Sequence, residues 1–266
     1  MMLQIESLSQ VFNAGSANEV QALRDIDLSM PAEQFTTLIG SNGAGKTTLF
    51  NVIAGVFPPS RGRIEIDGID VSGWPEHRRG TIIGRVFQDP LMGTAASMTI
   101  AQNLTLALLR DQRLRLRTGV TRDRRELFHE FLAPLGLGLE NRLDVRVSML
   151  SGGQRQAMTL LMASLARPKI LLLDEHTAAL DPGTAIKILD LTSKIVQDQR
   201  ITTLMITHNM QQALDNGDRT LMMDRGRIIL DLSAEEKSGL AVQDLVEKFM
   251  EVKHEGLYDD ELLLSA

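Results

Sequence analysis

Residues 40–48 read GSNGAGKTT and follow the apolar run FTTLIG. Glycines at 43 and 45 let a backbone curl until successive N–H groups point inward as an anion nest. A helix beginning at Thr47 places its positive end at the same point. Lys46 then reaches the β- and γ-phosphates of a nucleotide, and Thr47 offers a hydroxyl to Mg²⁺, with Thr48 towards the α-phosphate. The stretch LLLDE at 171–175 supplies the complement. Asp174, ending an apolar strand, suits the Mg²⁺ shell, and Glu175 suits a base that activates or orients water. A third stretch, LSGGQ at 150–154, sets two glycines at the start of a helix, where they cost helix stability unless something must approach the backbone closely. Ser151 can cap that helix or give its hydroxyl to phosphate, and Gly152 and Gly153 leave N–H groups bare at its positive end.

The elements needed to hold these residues are readable. LQIES, QALRDIDLSM and QFTTLIG alternate like strands near the front of an α/β domain, with NAGSANE as an intervening loop. RGRIEIDG predicts a strand turning at Asp67-Gly68, and TIIGRVFQ another. Residues 98–117 and 121–137 carry helical spacing, and a helix is expected from Ser151 to about Arg167, stopped by Pro168. KILLLDE and ITTLMITH read as central parallel strands buried on both faces, separated by a helix over 182–199. RTLMMDRGRIILDLS predicts a hairpin at Arg225-Gly226. AVQDLVEKFMEV predicts a last helix, before an acidic tail expected to fray.

The bulk properties exclude several classes. A formal charge of −6 and few aromatics disfavour nucleic acid as a partner. The arginines at 110, 113, 115, 117, 122, 124 and 125 are read as a solvated helical face. There is no cysteine, hence no disulfide framework or thiolate metal site. No signal peptide is evident at MMLQIESLSQ, and no apolar run approaches the roughly 18 residues of a membrane span. The expectation is a soluble chain whose membrane role needs a partner.

GSNGAGKTT, LSGGQ and LLLDE, in this order and spacing, together resemble the ATP-binding-cassette (ABC) ATPases over residues 3 to about 233. The resemblance implies an α/β P-loop NTPase fold: a RecA-like parallel-sheet core, an N-terminal antiparallel β subdomain and an α-helical subdomain inserted at about 91–155. Residues 1–233 would form one ABC ATPase domain, with 234–266 as a C-terminal helix and acidic tail. It also implies Mg²⁺-dependent ATP hydrolysis, with Glu175, His208, Lys46 and Gln88 in catalytic roles. ATP would be held by Phe12, stacked on adenine, by Gly40, Ser41, Asn42, Gly43, Ala44, Gly45, Lys46, Thr47 and Thr48, and by Asp181. Ser151, Gly152, Gly153 and Gln154 would serve the ATP of a second copy in a head-to-tail dimer. Thr47, Gln88 and Asp174 would serve Mg²⁺.

Two positions depart from the family pattern: His176 stands where proline is usual, and Ala178 where serine is usual. Both are read as variations outside the chemistry. DPLMGTAASMTIAQNL, DEHTAALDP and THNMQQALDNGDR are similar to a branch of stand-alone ATPases that work with a membrane permease and an extracytoplasmic solute-binding protein, some importing amino acids. The implied location is the cytoplasmic face of the membrane. A lipid- or lipoprotein-moving or export system is the alternative. DNA-maintenance and ribosome-acting ABC proteins fit less well: residues 49–149 leave no room for a long coiled coil, and there is one cassette.

Overall fold

A computed structural model of the chain describes residues 1–110 and 119–251. In chain order the strands and helices are β1 (Leu3–Phe12), β2 (Val20–Met30), β3 (Phe35–Gly40), α1 (Lys46–Ala54), β4 (Arg61–Ile66), β5 (Ile69–Asp70), α2 (Glu76–Arg79) and β6 (Ile83–Val86). There follow α3 (Ile100–Leu108), α4 (Arg122–Leu132), α5 (Gly152–Leu165), β7 (Ile170–Asp174), α6 (Pro182–Gln199), β8 (Thr202–Ile206), α7 (Met210–Asp215), β9 (Arg219–Asp224), β10 (Arg227–Ser233) and α8 (Ala234–Lys237). Residues 242–251 are helical as well. Arg113, Arg115 and Arg117 of the basic cluster, and the tail from His254, lie outside the described residues.

Among the described residues the strands form two sheets. The first is antiparallel, in the order β2-β1-β4-β5; the second has the order β10-β9-β3-β8-β7-β6 and is parallel from β9 to β6. The turn at Asp67-Gly68 joins β4 to β5 with both residues at positive φ, 51° and 72°, as a tight hairpin turn requires.

Period-two alternation assigns the parallel strands to two cores. In β7, Ile170 and Leu172 face a core shared with α1 and the antiparallel sheet, built from residues such as Leu49, Phe50 and Ile5. Leu171 and Leu173 face the other core, with Leu104, Phe128, Met158 and Val196 of the helical layer. Every residue of β7 and of β8 is buried. At roughly 1.5–3 kcal/mol per buried aliphatic side chain, this double burial keeps the strand ends that carry the site rigid.

A third, smaller core joins Leu232 and Leu245 to Ile39, Ala213, Leu214 and Met222. The segment from Leu232 to Phe249 therefore packs on α7 and the sheet. Lys237 reinforces the contact: its ammonium, largely buried, donates to the carbonyls of Ala213 and Asn216 at 3.1 and 2.7 Å, capping the C-terminal end of α7.

The arginine cluster is not a uniform solvated face. Arg125 makes a two-pronged pair with Asp144, at 2.9 and 2.6 Å. Arg110 donates to the carbonyl of Ile83 at 3.4 Å. Arg122 pairs with Glu126 one helical turn on. Sequence alone hid the Asp144 and Ile83 partners because they lie 19 and 27 residues away.

Candidate functional site

The helices differ in how their first N–H groups are satisfied. α3, α4, α5, α6 and α7 start at Thr99, Thr121, Ser151, Asp181 and Asn209, and each of these side chains accepts a backbone N–H of the first turn. Such a cap contributes about 1 kcal/mol. α1 starts at Gly45, with no side-chain cap. Gly45 has φ 102°, and a Cβ there would lie 2.7 Å from the carbonyl oxygen of Ala22, so only glycine fits. The first-turn donors of α1 are thus left for an external acceptor.

They face a cavity of about 580 Å³ lined by residues 42–48, Phe12, Val20, Gln21, Ala22, Arg24, Glu175, Arg225 and Gly226. Phe12 stands at its rim, edge-on to Phe57 with ring centroids 5.5 Å apart. Lys46 is turned back on the loop, donating to the carbonyls of Gly40 and Ser41 at 2.8 and 3.0 Å. Burial holds its ammonium below the ordinary lysine value, opposed by Glu175 and Asp174. Ser41 donates to Asp224 at 3.1 Å, which fixes the loop to the end of β9.

β7 delivers the acids. Glu175 sits at φ 45°, a left-handed conformation that costs a non-glycine residue about 1 kcal/mol or more. Its N–H donates to the carbonyl of Ile206, the last residue of β8, at 3.1 Å. Its carboxylate Oε2 lies 3.5 Å from His208 Nδ1. Asp174 is buried and pairs with Arg85, Nη2 to Oδ2, at 3.3 Å. Desolvation lifts the Asp174 carboxyl above its usual range, and the Arg85 charge opposes that lift. Arg85 was not singled out in the sequence; the only signal for it is a charge in an otherwise apolar strand, IIGRVF.

Gln88 is exposed just beyond β6 and does not line the cavity. Nor do residues 151–154 or Asp181. These last form a second cluster. Ser151 Oγ accepts the N–H of Gln154, and the Gln154 side chain accepts the N–H of Ser151 and donates to the carbonyl of Leu137, so the glutamine expected at the nucleotide is engaged in a capping box. Asp181 caps α6, and hydrogen bonds from Thr184 hold its carboxyl below the usual range.

The two glycines have different reasons. A Cβ at Gly152 would meet only Leu180 Cδ2, at 3.7 Å, whereas one at Gly153 would run into Thr184 Cγ2. The missing side chain at 153 therefore also serves packing within the chain, beside whatever approaches its N–H. His176 is buried. Its Nε2 lies 3.0 Å from Thr192 Oγ1, which itself donates to the carbonyl of Ile188 at 2.7 Å. Thr192 thus acts as acceptor from Nε2–H, which fixes the tautomer. Burial holds the imidazole at about 4, so the ring is neutral.

Thr47, Asp174 and Gln88 offer hydroxyl, carboxylate and amide oxygens, a hard donor set suited to Mg²⁺. Among the described residues no cluster of His, Cys, Asp and Glu forms an all-protein cage.

Residues 23–178 match the family model described as "ABC transporter". The chain is 44% identical to a tyrosine transport ATP-binding protein of Clostridioides difficile, over 93% of this chain and 98% of that protein. It is 37% identical to a methionine import ATP-binding protein of Rhodococcus jostii, over 86% of this chain but 65% of that longer protein. Among solved structures, the dimeric post-hydrolysis state of the ATP-binding cassette MJ0796, bound to ADP and Pi, superposes with a TM-score of 0.75 at 26% identity, covering 88% of this chain and 99% of that one. The cassette cbiO1 of Clostridium perfringens, part of the transporter complex cbiONQ, gives a TM-score of 0.75 at 28% identity over 93% of both chains.

Proposed function

We propose that this chain, which belongs to the ABC transporter family and is an ATP-hydrolysing cassette, energises the import of an amino acid through partner permease subunits. The observation that carries the substrate class is the 44% identity, over nearly the full length of both chains, to a tyrosine transport ATP-binding protein. No helix among the described residues is long and apolar enough to cross a membrane, so the path for the solute belongs to a partner. Leu91, Met92, Met98 and Met149 are large apolar residues left exposed, a surface suited to a helix of that partner. An extracytoplasmic solute-binding protein would complete the importer, with this chain on the cytoplasmic face. Residues 1–233 would serve as the ATPase domain and 234–266 as an extension.

The chemistry is positioning plus charge stabilisation. The nest of residues 40–48 and the uncapped start of α1 hold the phosphates, and Lys46 exchanges its two loop carbonyls for phosphate oxygens. Thr47, Asp174 and Gln88 would hold a Mg²⁺, which would supply charge neutralisation for the phosphates. Glu175 accepts a proton from the attacking water, and His208, beside it, holds the γ-phosphate. Phe12 stacks on the adenine. In a head-to-tail dimer, the N–H groups of Gly152 and Gly153 and the hydroxyl of Ser151 close over the partner's γ-phosphate. Gln154 supports them from the capping box rather than touching the ligand.

The test is affinity purification of tagged Glu175→Gln protein from detergent-solubilised native membranes with Mg-ATP, followed by mass spectrometry. Recovery of a polytopic permease with a solute-binding protein is expected. Recovery of ribosomal or DNA-associated proteins without a membrane subunit would overturn the transport assignment and leave the ATPase chemistry standing.

A further inference from the structure

β6 runs parallel to β7 with Arg85 aligned to Leu172. Leu172 and Asp174 are two residues apart and share one face of the sheet, so Arg85 rises on the same face as the acid it pairs with. Both side chains are only 12% exposed. The guanidinium carbon lies 4.6 Å from the ring centroid of Phe87, the residue before Gln88. Its Nε is buried without a hydrogen-bond partner.

As a stability device this is a poor arrangement. A buried ion pair barely offsets the desolvation of its two charges, and an unmade buried N–H adds a further penalty. An apolar side chain at 85 would suit the flanking IIG and VF better. The guanidinium engages Asp174 through Oδ2. Lys46 bonds to the loop carbonyls instead. The cation therefore acts on one carboxylate oxygen that matters, that of Asp174, which lies close enough to Lys46 for its charge to be felt there.

We propose that Arg85 is a positioning residue for the metal site: by holding Oδ2 of Asp174 against a guanidinium fixed on Phe87, it keeps the carboxylate oriented to receive the divalent cation through its other oxygen. The inference rests on the assignment of Asp174 to Mg²⁺. Partners of this kind, one step removed from the metal, typically change its affinity about 10–100-fold when removed.

The experiment is a Mn²⁺ titration followed by electron paramagnetic resonance, with a saturating non-hydrolysable ATP analogue, on wild type, Arg85→Met, Arg85→Lys and Asp174→Asn. Binding of a fluorescent ATP analogue in EDTA reports folding and should stay within about twofold of wild type in every variant. Arg85→Met is expected to weaken Mn²⁺ about tenfold or more, with Arg85→Lys, which keeps the charge and loses the fork, lying between. Unchanged or tighter Mn²⁺ binding in Arg85→Met, while Asp174→Asn weakens it, overturns the role of Arg85 alone. Unchanged binding in Asp174→Asn overturns the metal assignment itself, and the role of Arg85 with it. Should Arg85→Met fail the folding check, an Arg85→Lys variant equal to wild type in Mn²⁺ affinity is the overturning result.

Discussion

His208 Nδ1 lies 3.5 Å from Glu175 Oε2, linking the ends of the adjacent parallel strands β8 and β7. The N–H of Glu175 is already tied to the carbonyl of Ile206, so the pair is held from the backbone as well as the side chains. Groups that act as a unit give non-additive losses. Glu175→Gln should lower the hydrolysis rate at least about 100-fold, the usual scale for a lost general base, while retaining ATP and trapping an ATP-dependent dimer visible by size-exclusion chromatography. His208→Ala should also slow hydrolysis, and the double variant should fall no further than the worse single. Losses that multiply would show two independent roles.

Lys46 is held by two carbonyls of its own loop, at 2.8 and 3.0 Å. Phosphate oxygens are better partners for an ammonium than neutral carbonyls, since they add charge–charge attraction to the charge-assisted hydrogen bond. Lys46→Ala should abolish hydrolysis and weaken binding of a fluorescent ATP analogue by at least about tenfold. Retained turnover in that variant would remove the loop from the reaction.

Gly152 and Gly153 separate packing from function. Gly153→Ala drives a methyl into Thr184 Cγ2, and overpacking of this kind costs about 1–3 kcal/mol. Thr184→Ser removes that methyl and should restore the melting temperature of Gly153→Ala. Gly152→Ala has ordinary space in the isolated chain and should be as stable as wild type, yet lose ATP-dependent dimerisation. A Gly152→Ala protein that dimerises normally would show that nothing approaches that backbone.

How much of this was legible depends on how local each cause is. The phosphate loop was readable because strand, glycines, lysine and helix are contiguous, and each of the elements around it appears where the alternation placed it. β7 was readable because burial on both faces leaves the apolar run ILLL, and β8, TTLMI, repeats that pattern with two buried threonines. Arg85 was not, because its meaning lies in Asp174, 89 residues away, and only sheet register brings the two together. The packing role of Gly153 was hidden for the same reason, its neighbour Thr184 lying on another helix. Gln154 was half legible: the S-x-x-Q spacing of a capping box was present, but its further partner, the carbonyl of Leu137, lies 17 residues away.

His176 follows Glu175 but turns into the core, where Nε2–H donates to Thr192. Burial sets its folded pKa at about 4, against about 6.5 in an unfolded chain. A neutral-in-the-fold histidine contributes stability that is complete above pH 6.5 and is lost as pH falls towards 4, because the unfolded chain takes up the proton first. The whole difference amounts to about 3 kcal/mol. His176→Leu keeps an apolar group of similar size there, and Thr192 retains its bond to the carbonyl of Ile188. That variant should hydrolyse ATP at a rate close to wild type. Its urea-unfolding free energy should decline less steeply between pH 6.5 and 4 than that of wild type. An identical slope would place the acid-labile group elsewhere. A loss of turnover like that of Glu175→Gln would instead bring the imidazole into the chemistry, against the burial of its ring.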